Sequence, residues 1–189
     1  IAPEPPLAIG EKLVDFTRKH QFDLVIGLGG GSALDLAKLA AVLAVHDGKV
    51  ADYLNLTGTK ALEQKGLPKI LIPTTSGTGS EVTNISVLSL DTTKDVVTHD
   101  YLLADSAIVD PELTISLPPK VTAATGVDAL THAIEAYVSV NANEVTDSLA
   151  LQAIRLISGS IRTAVLEGEN KQARSDMSYG SYLAGLAFF

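Results

Sequence analysis

FDLVIGLGGGSALDLAKLAAVLAV, residues Phe22 to Val45, passes from a short apolar run through three consecutive glycines into an alanine- and leucine-rich stretch with no breaker. An apolar run too short for a helix and bounded by glycine reads as a buried strand. The stretch from Ser32 reads as a helix that closes at His46-Asp47-Gly48. Strand, glycine turn and helix in that order form the opening unit of an α/β layer. Upstream, EKLVDFTRKHQ (Glu11 to Gln21) has helical spacing through Leu13, Val14 and Phe16. Downstream, LPKILIPTT gives a second buried strand from Lys69 to Ile72, ISVLSL a third at Ile85 to Leu90, and SAIVD a fourth at Ser106 to Asp110. Continuous apolar strands separated by helices predict a parallel sheet covered on both faces.

The character changes at SLPPKVTAATG, where Pro118 and Pro119 break the chain and everything after them is alanine-rich with helical spacing. The expected organisation is an α/β parallel-sheet nucleotide-binding domain over residues 1–118, followed over 119–189 by the beginning of an all-helical domain. The opening IAPEPPL has no initiator methionine, charged region or cleavage site, and reads as a start inside a longer frame.

Composition narrows the function classes. A formal charge of −8 argues against a nucleic-acid footprint or an anionic membrane surface, both of which need a clustered positive field. Asp35 and Lys38 interrupt the richest apolar stretch, so no uninterrupted run has the length of a membrane span. With no cysteine, disulfides and thiolate ligation are excluded and a cytoplasmic location is the expectation. An anionic ligand would have to be held locally, by backbone N–H groups and helix ends.

Two loops could do so. GLGGGSALDLAK (Gly27 to Lys38) puts glycines where backbone N–H groups and a helix dipole can meet a phosphate, with Ser32 as helix N-cap and phosphate donor. It is neither the G-x-G-x-x-G fingerprint nor a Walker loop, and a tight turn without ligand is the alternative. PTTSGTGSEVT (Pro73 to Thr83) packs five hydroxyl residues and two glycines into the eight positions Thr74 to Glu81, directly after a strand. Its alternative is a polar surface turn, but two such loops after two strands of one sheet favour a nucleotide site.

In GVDALTHAIEAYVS, Gly126 to Ser139, Asp128 and His132 stand four apart on an apolar helix and point the same way. A carboxylate and an imidazole so placed can share a divalent cation, or form an ordinary side-chain pair. As a metal site they are half of one, because a catalytic metal takes at least three protein ligands. Of the other histidines, His20, His46 and His99 fall at helix ends or turns of the α/β part and read as solvated.

GGGSALDLAK, IPTTSGTGSEVT, IVDPELTISLPP and TGVDALTHAIEAYVS, in that order, resemble the iron-containing (group III) alcohol dehydrogenase family over nearly the whole sequence, which is similar to a central fragment of such proteins. The resemblance implies a nicotinamide dinucleotide, NAD or NADP, on the α/β domain and a metal held by the helical one. It implies that Gly30, Gly31 and Ser32 hold the pyrophosphate with Asp35 close by, and that Thr74, Thr75 and Thr78 line the adenosine and nicotinamide side. Lys94 would lie near the nicotinamide ribose, its alternative being an exposed charge in the turn LDTTKD. Leu113 would wall the adenine pocket, or simply pack in the core. Asp128 and His132 match the first two metal ligands; the family's other two are histidines beyond GLAF, here Gly185 to Phe188.

The implied metal is Fe²⁺, with Zn²⁺ suited to the same ligand types. The implied reaction is hydride transfer between a small primary alcohol or diol and nicotinamide, or reduction of the aldehyde, in a homodimer or larger assembly. Related frameworks that work without a metal or eliminate phosphate are disfavoured by Asp128, His132 and TTSGTGSE. The competing reading is a non-catalytic nucleotide-binding fragment that lacks the complete metal site.

Overall fold

The computed structural model describes residues 5–188; the first four residues of the proline-rich opening and Phe189 lie outside the described residues. Helix α1 (Leu7–His20) leads to β1 (Val25–Gly29), α2 (Gly31–Leu43), β2 (Lys69–Pro73), β3 (Ile85–Ser89), β4 (Lys94–Thr98) and β5 (Ser106–Ala107). Three helices follow: α3 (Pro119–Val138), α4 (Glu144–Leu166) and α5 (Lys171–Phe188). The expected α/β layer followed by helices is present.

The chain forms two compact units. The first comprises Ile1–Leu28, Ser32–Leu71 and Asn84–Ala107, and the second Gly29–Gly31, Ile72–Thr83 and Ile108–Phe189.

In the first unit, β1, β2 and β5 form a three-stranded sheet in the order β1-β2-β5, with β2 and β5 parallel in the register Ile70↔Ser106 and Leu71↔Ala107. Helix α2 lies against it, burying Leu34 and Ala37 on Leu71. Gly27 is required there, since a Cβ would fall 2.7 Å from Ala37 Cβ and 2.8 Å from Leu71 Cδ2. The other face of β1 is open, with Ile26 59% and Leu28 60% exposed, so the expected cover on both faces is not met at this strand. The larger core of the unit runs from Val14 through Leu36, Leu39 and Leu43 to Leu88 and Leu102.

Arg18 ends α2: its guanidinium donates to the carbonyls of Leu43 (3.0 Å), Gly48 (2.8 Å) and His46 (2.5 Å), supplying a cation where the helix dipole is negative. His46 is buried, not solvated. Its Nε2 accepts from the Glu63 N–H at 3.0 Å, which leaves Nδ1 to donate to the Val42 carbonyl at 2.9 Å. His20 is exposed against Phe16, and His99 caps a short turn by accepting from the Tyr101 N–H.

The strand at Ile85 does not join the parallel sheet. It pairs antiparallel with β4, from Ile85↔Thr98 to Ser89↔Lys94. ISVLSL alternates in burial, and a hairpin covered on one face needs only that alternation. β5 is also shorter than expected, two residues, and Ile108 beyond it is half exposed. Side chains close the outer edge of β3: Lys38 Nζ donates to the Ile85 carbonyl, and Asp35 accepts from the Val87 N–H at 3.0 Å. At the end of that edge the Ser89 N–H donates to the Pro5 carbonyl at 3.0 Å. The β4 edge is met by Asn55, whose N–H donates to the Val96 carbonyl (2.8 Å) and whose Oδ1 accepts from the Thr98 N–H (3.1 Å). An isolated hairpin is thereby left without free edges at these positions.

In the second unit, α3, α4 and α5 pack around Ala129, Ala133, Ala153, Ile157, Met177 and Ala184. Small residues let the helices approach closely. Proline at the first position starts α3, where no N–H partner is needed, and Asn143 with Thr146 forms a reciprocal cap on α4. Helix α4 is long and apolar enough to cross a membrane by length and composition, yet it carries Arg155 and Arg162 and packs along both α3 and α5. Arg174, 2% exposed, donates to Gly168 O (2.8 Å), Thr122 Oγ1 (2.8 Å) and Leu117 O (3.3 Å), and burial lowers its pKa. It ties the segment before α3 to the start of α5.

Candidate cofactor and metal site

The glycine turn and the threonine loop meet within the second unit. Thr74 N–H donates to the Gly29 carbonyl at 2.9 Å, extending the strand pairing into the loops. A Cβ on Gly30 would sit 3.3 Å from Thr75 Oγ1 and Cγ2, and one on Gly31 only 2.6 Å from the same atoms of Thr78. Gly31 thus packs closely on the Thr78 side chain and Gly30 less tightly on Thr75, before any ligand is considered. Gly30, Gly31 and Ser32 form a partly exposed cradle at the start of α2, where a helix dipole favours a phosphate. Such a cradle fits a pyrophosphate.

Helix α2 begins at Gly31, so Ser32 lies inside its first turn and not at the cap. Asp35 is 8% exposed and committed to structure, 3.3 Å from Lys38 Nζ and bonded to Val87 N–H. Lys94 is exposed at the start of β4, in the first unit. Leu113 lies in a 3-10 turn, Pro111–Thr114, capped by Asp110, and is 37% exposed.

The threonine loop is not a surface turn. Ser76, Ser80 and Glu81 are buried, and Ser76 Oγ lies 3.1 Å from Ser178 Oγ of α5. A Cβ on Gly77 would come 2.9 Å from Thr125 Cβ of α3. Gly79 adopts φ 62°, and a Cβ there would meet Gly185 Cα at 2.7 Å. Three of the loop's seven small and hydroxyl residues, Ser76, Gly77 and Gly79, therefore serve docking on the helices. Sequence alone could not separate these from ligand donors, although Gly185 stands inside GLAF.

On α3, Asp128 Oδ1 and His132 Nε2 lie 3.9 Å apart, partly exposed, as the spacing predicts. The His132 ring also contacts Phe188, centroids 5.1 Å apart. One carboxylate oxygen and one imidazole nitrogen fit a borderline divalent cation such as Fe²⁺ or Zn²⁺. They fit it as part of a shell, since among the described residues no three potential ligands cluster.

The architecture is that of an α/β nucleotide-binding domain followed by a helical domain. The family model for Iron-containing alcohol dehydrogenase matches residues 1–111, and that for the Fe-containing alcohol dehydrogenase family, C-terminal, matches residues 122–189. The chain belongs to the iron-containing alcohol dehydrogenase family. It is 79% identical over its full length to long-chain-alcohol dehydrogenase 1 of Geobacillus thermodenitrificans, covering 48% of that protein. It is 47% identical to the sulfoacetaldehyde reductase of Bilophila wadsworthia, over 98% of this chain and 48% of that one. The structure of the sulfoacetaldehyde reductase from Bifidobacterium kashiwanohense in complex with NAD⁺ superimposes with a TM-score of 0.93 at 42% identity, covering 99% of this chain and 50% of that chain. The chain spans about half the length of the curated relatives it matches.

Proposed function

We propose that these residues are the central part of a metal-dependent, NAD(P)-linked alcohol dehydrogenase or aldehyde reductase, acting between a small primary alcohol or diol and nicotinamide. The observation that carries this reading is the packing of Gly30 on Thr75 and Gly31 on Thr78, which brings the threonine loop against a partly exposed glycine turn at a helix start. A relative solved with NAD⁺ supports the choice of ligand. In this reading residues 1–118 bind the cofactor and 119–189 begin the metal-binding domain.

Gly30, Gly31 and Ser32 hold the pyrophosphate by their backbone N–H groups, and Thr74, Thr75 and Thr78 line the rest of the dinucleotide. Asp35 lies close by on α2, Lys94 serves the ribose and Leu113 the adenine. Asp128 and His132 supply two metal ligands. When bound, the metal offers Lewis-acid stabilisation of an alkoxide oxygen and the nicotinamide offers the hydride acceptor. Fe²⁺ is the family's metal by name, and Zn²⁺ suits the same donors. A cytoplasmic homodimer or larger homo-oligomer completes the proposal.

The test is alcohol-dependent reduction of NAD⁺ or NADP⁺ by the whole protein, before and after chelation. Turnover should vanish on metal removal and return with Fe²⁺ or Zn²⁺; undiminished turnover of the metal-free protein sinks the reading. The name of the 79%-identical relative adds long-chain alcohols to the substrates to be tried. A second reading, nucleotide binding without catalysis, is favoured for the isolated 189 residues by the two-ligand metal pair. That chain alone should show no metal-dependent turnover.

A further inference from the structure

Helix α5 presents Ser178, Ser181 and Gly185 along one face, at spacings of three and four residues, to the loop Ser76–Gly79. Ser178 Oγ meets Ser76 Oγ at 3.1 Å, and a Cβ on Gly79 would fall 3.3 Å from the Ser181 carbonyl and 2.7 Å from Gly185 Cα. The contact is reciprocal. A Cβ on Gly185 would lie 3.0 Å from both Cα and O of Gly79, and 2.8 Å from Val82 Cγ2. Backbone thus meets backbone at Gly79, with the Val82 side chain beside it. The next residue along the loop is Thr78, whose Oγ1 accepts from the Ser80 N–H at 3.2 Å and whose side chain fills the space beside Gly31.

We propose that Gly185 is a positioning residue for the cofactor loop: by carrying no side chain it lets α5 seat Gly79, and through it holds Thr78 against Gly31 at the pyrophosphate cradle. The proposal rests on the reading of these loops as the dinucleotide site. A methyl group at Gly185 would lie 3.0 Å from Gly79 Cα and O and 2.8 Å from Val82 Cγ2, so the loop must give by a few tenths of an ångström. Alanine is the better helix former, so a loss on Gly185→Ala comes from the contact and not from the helix.

The test is titration of the whole, metal-free protein with NADH, followed by nicotinamide fluorescence, alongside thermal melting. Gly185→Ala should weaken NADH binding by about threefold to tenfold, the loss expected from a displacement of a few tenths of an ångström, below the roughly hundredfold cost of 1 Å. The control is Gly180→Ala on the same helix, where the added Cβ would meet Ile157 Cγ1 at 2.6 Å, in the contact with α4. It should lower the melting temperature and leave NADH affinity within about twofold, the size of effect expected when no ligand contact changes. Adding Val82→Ala to Gly185→Ala removes the one side-chain clash and should not restore affinity, because the Gly79 backbone remains in place. Should Gly185→Ala fail to fold, Ser178→Ala deletes only the hydroxyl that holds Ser76 and should weaken binding by a smaller factor. Wild-type affinity in the folded Gly185→Ala or Ser178→Ala protein, equal loss in Gly180→Ala, or full rescue by Val82→Ala overturns the proposal. Absence of both NADH and NADPH binding by the wild type would instead overturn the dinucleotide reading itself.

Discussion

Lys69 is the residue whose environment is hardest to reconcile with its chemistry. Its side chain is fully buried at the start of β2, and Nζ has no hydrogen-bond partner among the described residues. Burial lowers its pKa from the ordinary value of 10.5, against the opposing pull of Asp105, whose carboxylate is 3.9 Å away. A lysine with a lowered folded-state pKa binds fewer protons folded than unfolded, so it penalises folding at pH values below that lowered pKa. The penalty fades as pH rises toward 10.5. Lys69→Met in the whole protein should therefore raise the melting temperature at pH 7, with a gain that shrinks in alkaline buffer. A lower melting temperature at pH 7 would mean that the ammonium is held by something that stabilises it. Asp105 is not left alone by the change, since it keeps Lys65 at 2.6 Å and the Lys69 N–H at 2.9 Å. At this scale some residues were legible from spacing alone. Asp128 and His132 lie side by side because i and i+4 share a helical face, whereas the burial of His46 depends on the Glu63 N–H, a partner distant in sequence that no local pattern announces.

Among the elements, α2 does more than follow a glycine turn. Its Asp35 and Lys38 act as a substitute strand, meeting the Val87 N–H and the Ile85 carbonyl on the outer edge of the β3–β4 hairpin. Asp35→Ala removes the acceptor of the Val87 N–H and one partner of Lys38, and should destabilise the protein by about 1–3 kcal/mol, measured by denaturant unfolding. Unchanged stability with weakened cofactor binding would instead assign Asp35 to the ligand. The hairpin itself was the part of the fold least visible beforehand. KDVVT has only two apolar residues, and the connection Leu90–Thr93 contains no glycine or asparagine to mark a tight turn, so β4 read as loop. By contrast β1, α2 and β2 were readable because apolar runs end at glycine or threonine clusters. The docking of the threonine loop on α3 and α5 was not, because Ser76, Gly77 and Gly79 look the same in sequence whether they face a helix or a phosphate.

For the whole molecule, the chain accounts for about half of the length of its relatives, and its two candidate ligands account for part of a metal shell. In the proposed site Asp128 and His132 hold the metal ion, and this is tested by the metal content of the purified whole protein and its His132→Ala variant by elemental analysis, with NADH affinity measured on the same samples. About one metal ion per protomer is expected in the wild type, as for a single catalytic site, and near none in the variant, with NADH affinity unchanged. A variant that keeps its metal would contradict the assignment.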